Sequence, residues 1–344
     1  MKKLILVIAL QILGLFSSCS KNDVASTDET STPVTNDIYI AGYEFNGANF
    51  VAKYWKNNMG TNLSDGTKYA VAQSIVVVGE DVYVAGYETN TSNKNVAKYW
   101  KNGAGTNLSD GTKQAFAYSI VVSGSDVYVA GDEDNGSFEV AKLWKNGTAI
   151  NLSDGTKDAF AQSVVVVGVN VYVAGYEFNG KYNVAKYWKN GIVTNLTDGT
   201  NTAYTTSIAV EGNDVYVAGY DYNGAHYVAK YWKNGVAHNL SDGTNDAEAR
   251  SIVVIGNDVY VAGQETIGMS YVAKYWKNGI ATILGDETKD TYGLSIKVEG
   301  TDVYVAGYEN TGAKGVAKYW KNGIATNIVT DASLSSVSNS IFVK

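Results

Sequence analysis

The chain has 344 residues, among them seven Trp, thirty-six Gly, one Pro and one Cys, with a formal net charge of −7. A modestly acidic chain whose single Arg is Arg250 has no cation cluster for holding phosphate backbones, and its lone Cys19 permits no intrachain disulfide. Trp55, Trp100, Trp144, Trp188, Trp232, Trp276 and Trp320 fall one to each unit of about 44 residues, and a period of that size signals a repeat architecture. It argues against a two-domain enzyme of dissimilar halves, a disordered chain and a helical bundle.

In chain order, residues 1–18 read as an export signal. Lys2 and Lys3 form a basic start, and Leu4 to Phe16 is an apolar run broken only by Gln11. A membrane span needs about 20 such residues, so the run fits a secretory signal instead. Phe16-Ser17-Ser18-Cys19 resembles the lipobox of bacterial lipoproteins, with Phe16 standing where that pattern prefers Leu. The resemblance implies that Cys19 is lipidated and becomes the new N-terminus. Residues 19–36, rich in Ser, Thr, Asn and Asp and holding Pro33, are expected to be a flexible tether. Ser20 after the Cys is similar to the outer-membrane lipoproteins, and Ser20-Lys21-Asn22-Asp23 is similar to tags that direct some of them to the cell surface.

From 37 to 344 the chain repeats. One unit, Ser163 to Thr206, contains S-V-V-V-V-G-V-N-V-Y-V-A-G-Y-E and N-V-A-K-Y-W-K-N-G-I-V-T-N-L-T-D-G-T. These runs predict four short strands: Val164 to Val167, V-Y-V-A-G, V-A-K-Y-W and a brief T-N-L. Gly plus two residues joins strands one and two, as at Gly79-Glu80-Asp81. Asn-Gly joins strands three and four in six units, as at Asn102-Gly103 and Asn190-Gly191. Asn-Gly favours the type I′ turn of a two-residue hairpin. Four antiparallel strands per unit, apolar on both faces, predict an all-β fold, a seven-bladed β-propeller. The repeats open at Asp37-Ile38-Tyr39-Ile40 as a second strand and finish at Ser340-Ile341-Phe342-Val343 as a first strand. The C-terminal strand is therefore expected to join the N-terminal blade and close the ring. The V-Y-V-A-G-Y run resembles the bacterial β-propeller repeats of the SBBP family over about one strand per unit, a likeness that implies no enzyme activity.

The hairpin turns vary little among units, whereas two links do. One lies between strands two and three; the other is the approach to strand one. Both are expected at the same end of the ring, which gives it one variable face. On the approach, small residues such as Ala115, Ala117, Ala159 and Ala161 alternate with variable ones. The candidate binding residues are Phe116, Tyr118, Phe160, Gln162, Tyr204, Glu248, Arg250 and Tyr292, with His226 in a neighbouring link. Glu248, Arg250 and His226 could orient a polar or anionic ligand, or could be drift on a solvated rim. His238 reads as a surface substitution.

Asp132, Asp134 and Gly136 resemble the start of a calcium loop without its closing Glu, so no metal is expected. No cofactor is implied. Asn-Leu-Ser/Thr at Asn62, Asn107, Asn151, Asn195 and Asn239 matches a glycan acceptor formally and reads as a structural part of the repeat. The Trp residues are either packing between blades or a ring of platforms for sugars. No nucleophile–base constellation is visible, so the chain is expected not to be an enzyme. The expected function is a noncatalytic recognition or scaffold module, anchored through Cys19, that binds a protein or glycan as a monomer and does not bind nucleic acid. A hydrolase or lyase at the ring mouth and a passive spacer are the alternatives.

Overall fold

The computed structural model describes residues 36–328 and 334–344. The segments expected to be an export signal and a tether, with Cys19 between them, lie outside the described residues up to Thr35. Twenty-eight strands form seven four-stranded antiparallel sheets. Blade 1 combines 38–62 with Ser336–Val343, and blades 2 to 7 follow at 70–107, 115–151, 159–195, 203–239, 247–283 and 290–327. Each blade runs as a meander from its first strand to its fourth. The hairpin reading holds at atomic level: Asn102 and Gly103 take φ values of 51° and 84°, the positive-φ pair that a type I′ turn requires.

The first strands line the inside of the ring and are longer than the sequence suggested. Ala70–Val78 and Ala115–Ser123 include the positions expected in the approach, so the variable positions lie within strands and not in loops. Neighbouring first strands are joined by a repeated bond. Ile120 N–H donates to Ser74 Oγ at 3.3 Å and Val164 N–H to Ser119 Oγ at 3.1 Å. The series runs on through Ser163, Ser207 and Ser251, and Ile341 N–H then donates to Ser295 Oγ at 3.2 Å. Ile75 N–H donates to Ser340 Oγ at 3.3 Å, which closes the circle. Blade 1 is completed as expected: Ser336–Val343 pairs with Ile38–Phe45, with Ile38 opposite Val343 and Glu44 opposite Ser336.

Packing repeats with the same period. Seven apolar clusters each straddle two blades, one joining blade 7 to blade 1 through Tyr304, Ala306, Trp55 and Ile341. All seven Trp are at most 2% exposed. They are the large apolar contents of the clefts between blades, and the sugar-platform alternative is thereby overturned. Leu63 and its sisters pack into the same clefts, and Ser64 Oγ of the Asn-Leu-Ser run accepts from Ala52 N–H at 3.2 Å. That run is structural, as expected. Lysines and carboxylates pair in register as well, for example Lys186–Glu177 at 2.7 Å and Lys145–Asp126 at 2.7 Å.

Candidate functional site

In every first strand the pairing register skips one residue. The β-bulge leaves Gln73, Tyr118, Gln162, Thr206, Arg250, Leu294 and Asn339 outside the ladder. A bulge bends the strand and re-aims a side chain. The residues beside it are small because they meet the preceding blade: Ala72, Ala117, Ala161 and Ala249 are fully buried. The alternation of small and variable residues thus has one cause, and the variable set belongs to the inner wall. Two bulged residues reach across it. Thr206 Oγ1 donates to Ala249 O at 2.8 Å, and Asn339 Nδ2 donates to Ala72 O at 2.9 Å.

Two residues before each bulge stand Val71, Phe116, Phe160, Tyr204, Glu248, Tyr292 and Val337. Their cross-strand partners are Tyr87, Asp132, Tyr176, Tyr220, Gln264, Tyr308 and Tyr43. The aromatic members touch in series. Tyr87 meets Phe116 edge-on with centroids 4.9 Å apart, and Phe116 stacks with Tyr118 at 6.2 Å. Phe160, Tyr176, Tyr204 and Tyr220 follow at 5.0, 4.9 and 5.1 Å. Tyr292 stacks on Tyr308 at 4.6 Å. These rings are half-buried, so they combine apolar faces with phenols that can hydrogen-bond.

Blades 6 and 3 break the tyrosine pattern with polar residues. In blade 6, Gln264 is 1% exposed and its Nε2 donates to Glu248 Oε2 at 2.5 Å. Arg250 also pairs with Glu248, and its guanidinium lies 5.7 Å from the Tyr220 ring centroid. Arg250 Nε and Gln264 Oε1 are buried without a hydrogen-bond partner, which leaves one donor and one acceptor unspent. His226 does not join this group. Its Nδ1 lies 3.5 Å from Asp246 Oδ1, nearer the rim.

In blade 3, Asp132 has no exposed surface, and both its carboxyl oxygens lack a hydrogen-bond partner. Burial pushes its pKa well above the ordinary carboxylate range, and the neighbouring Glu139 carboxylate adds to the rise. Glu139 is itself raised, first by burial. The calcium-loop resemblance fails here: Asp132 lies in the interior, and Asp134 Oδ1 accepts from Gly136 N–H at 2.5 Å. No group of three or more metal-ligating side chains occurs among the described residues.

A raised folded-state pKa means that the contribution of Asp132 is present at low pH and lost as pH rises through that value. Surface aspartates have the opposite sign. Hydrogen bonds from Thr67 hold the Asp65 pKa down, so its contribution is lost on acidification. Asp132→Asn is therefore expected to melt above the unaltered protein at about pH 8, with the gap narrowing toward about pH 4. Thermal melts across that range check it; a gap that widens toward acid would contradict a neutral, buried Asp132.

Of the residues expected from sequence, Phe116, Tyr118, Phe160, Gln162, Tyr204, Glu248, Arg250 and Tyr292 all lie on the bulged strands, with Gln162 half-buried at its bulge. His226 is the exception. Sequence reasoning missed Tyr43, Tyr87, Tyr176, Tyr220 and Tyr308, because constant residues look like framework. Asp132 and Gln264 were detectable as the two departures from those tyrosines. The variable face also carries a polar cleft of about 410 Å³ between the links of blades 6 and 7, lined by Met269, Lys289 and Glu309 among others.

The architecture defines a seven-bladed β-propeller. No family model matches the chain, and no curated protein matches its sequence. Among solved structures, it is similar to a puromycin-hydrolyzing peptidase of Mycobacterium tuberculosis, with a TM-score of 0.52 at 10% identity over 76% of this chain and 47% of that one. It is also similar to TolB from Acinetobacter baumannii, with a TM-score of 0.50 at 11% identity over 88% of this chain and 82% of TolB. The chain spans about half the length of the peptidase. At such identities the likeness concerns the fold alone.

Proposed function

We propose that the protein is a noncatalytic recognition or scaffold module that binds a protein or glycan on its variable face. One observation carries the reading. In units repeated down to the bulge, the serine bond and the ion pairs, the departures collect on the inner wall beside half-buried aromatic rings. Aromatic faces beside a guanidinium, a carboxylate and an amide suit a ligand with apolar faces and hydroxyl or amide edges. With the lipid anchor expected at Cys19, such a module would work at the outer membrane.

The test replaces residues by those at equivalent positions of other blades, so that the fold is retained. The exchange is Tyr204→Val, Glu248→Val, Arg250→Gln and Tyr292→Val. Glycan arrays and pull-downs compare it with the unaltered protein. The expected result is a loss of affinity of about tenfold or more, with little change in melting temperature. Unchanged binding removes the assignment of this face.

A hydrolase or lyase is the second reading, favoured by the buried Asp132 beside the half-buried Glu139. Against it, both Asp132 oxygens are buried away from any substrate in the ring.

A further inference from the structure

A second concentration of departures lies at the opposite end of the ring, among the tight hairpins. In six blades a Tyr precedes the Trp of the third strand: Tyr54, Tyr99, Tyr187, Tyr231, Tyr275 and Tyr319. Each packs in the cleft toward the next blade. Blade 3 has Leu143 at this position, in the cleft toward blade 4. Its cross-strand neighbour is Ile150, where five sister strands have Thr and the sixth has His238. Facing them from blade 4 is Val169, whose counterparts are Glu80, Ser125, Asn213, Asn257 and Thr301.

All three departures are toward apolar side chains, and all three line one cleft. Its volume is about 300 Å³, and Trp188 and Tyr128 are among its walls. The sister cleft between blades 7 and 1, where Tyr319 is present, measures about 180 Å³ against Ile40 and Trp55. The wider cleft is the one that lacks the tyrosine ring. Val169 is 92% exposed and Ile150 45% exposed, which leaves an apolar rim at the mouth. Lys145 and Asn190 supply polar groups beside it.

We propose that the cleft between blades 3 and 4 binds a small aromatic molecule of phenol size, seated where the sister clefts hold their own tyrosine ring. The size and shape come from the repeat: the same strand geometry accommodates a phenol ring six times. A volume of this order lies at the lower end of the range for small-molecule sites, about 300–1,000 Å³. Aliphatic walls and the Trp188 ring would cover the faces of such a ligand, and a hydroxyl would point to the polar rim. This site shares no residue with the variable face, so the two assignments stand or fall separately.

The probe is p-cresol, which is the tyrosine side chain as a free molecule. Its binding to the full chain is measured by calorimetry and by thermal shift, beside Leu143→Tyr, a variant that restores the repeat's own residue and so should fold. The expected result is saturable binding to the unaltered protein with a rise in melting temperature. Leu143→Tyr should melt higher without ligand and bind p-cresol at least about tenfold more weakly. Equal binding to both proteins, or no saturable binding up to the solubility of p-cresol, overturns the proposal. Cyclohexanol is the second probe; if it binds as tightly as p-cresol, the assignment to an aromatic ligand is overturned.

Discussion

Replacing Gly219 by Ala is expected to cost about 3 kcal/mol, the upper part of the range for forcing an extra methyl into a packed interior. Gly219 lies opposite the bulge of blade 5, and a Cβ there would overlap the carbonyl oxygen of Tyr204 and press on the Cα of Thr205. These are backbone atoms and cannot turn aside. All seven blades have Gly at this position, and in each the nearest obstacle is the carbonyl two residues before the bulge. Relief would require the first strand to withdraw, which would disturb the Thr206 bond to Ala249 and the aromatic contacts of Tyr204. Gly212→Ala is the control. That turn glycine has open space around it and a φ of 60°, so only backbone strain of about 1–2 kcal/mol applies. Urea melts of both variants give the comparison, and equal losses would refute the role assigned to close approach at the bulge.

Removing Ser336–Lys344 is expected to abolish cooperative unfolding altogether. Those residues supply the first strand of blade 1, and Ile341 and Val343 belong to the cluster that covers Trp55. Without them, Ile38–Phe45 becomes an edge strand, and two links of the serine circle are lost, at Ser295 and at Ser340. An exposed edge beside uncovered apolar residues favours association between chains. Size-exclusion chromatography with circular dichroism should show an aggregated or non-cooperative chain, and a peptide of 336–344 added during refolding should restore the transition. A truncated chain that melts as sharply as the full one would mean that closure contributes little.

The architecture was legible because its signals are periodic. Trp spacing gave the unit, Asn-Gly gave the hairpins, and the unmatched strands at Ile38 and Ile341 gave the closure. The inner wall was legible only in part. A run such as Ala159-Phe160-Ala161-Gln162-Ser163 has no apolar periodicity of the usual kind, so it read as a link. Its small residues are in fact the requirement of seven strands converging on an axis, and Gln162 varies because the bulge frees it from the ladder. Ser163 was unremarkable in sequence, since a constant serine announces no partner 45 residues away. His226 was grouped with Glu248 and Arg250 by proximity of links, but its backbone is held in a turn by Asn223 Oδ1, which accepts from its N–H at 2.8 Å. Leu143 was open to the same comparison of units that singled out Arg250. It drew no notice because an apolar residue replacing an aromatic one suggests ordinary packing until the cleft around it is seen.

The position of Ile38–Phe45 between Phe50–Lys56 and Ser336–Val343 also has a mechanical meaning. Any load applied through the polypeptide upstream of Asp37 enters the ring along this strand, which is hydrogen-bonded on both sides, with seven residue pairs in each ladder. Asp37 and Lys344 are joined as well, N–H to O at 2.8 Å in one direction and 3.1 Å in the other. A pull along the strand strains both ladders in shear, so many bonds must yield together instead of opening one after another. Had the chain begun with a fourth strand, the same pull would have peeled away an outer edge. A ring pulled through its leading segment is therefore gripped at a laterally supported strand, and the tension would be shared between Ile38–Phe45 and Ser336–Val343.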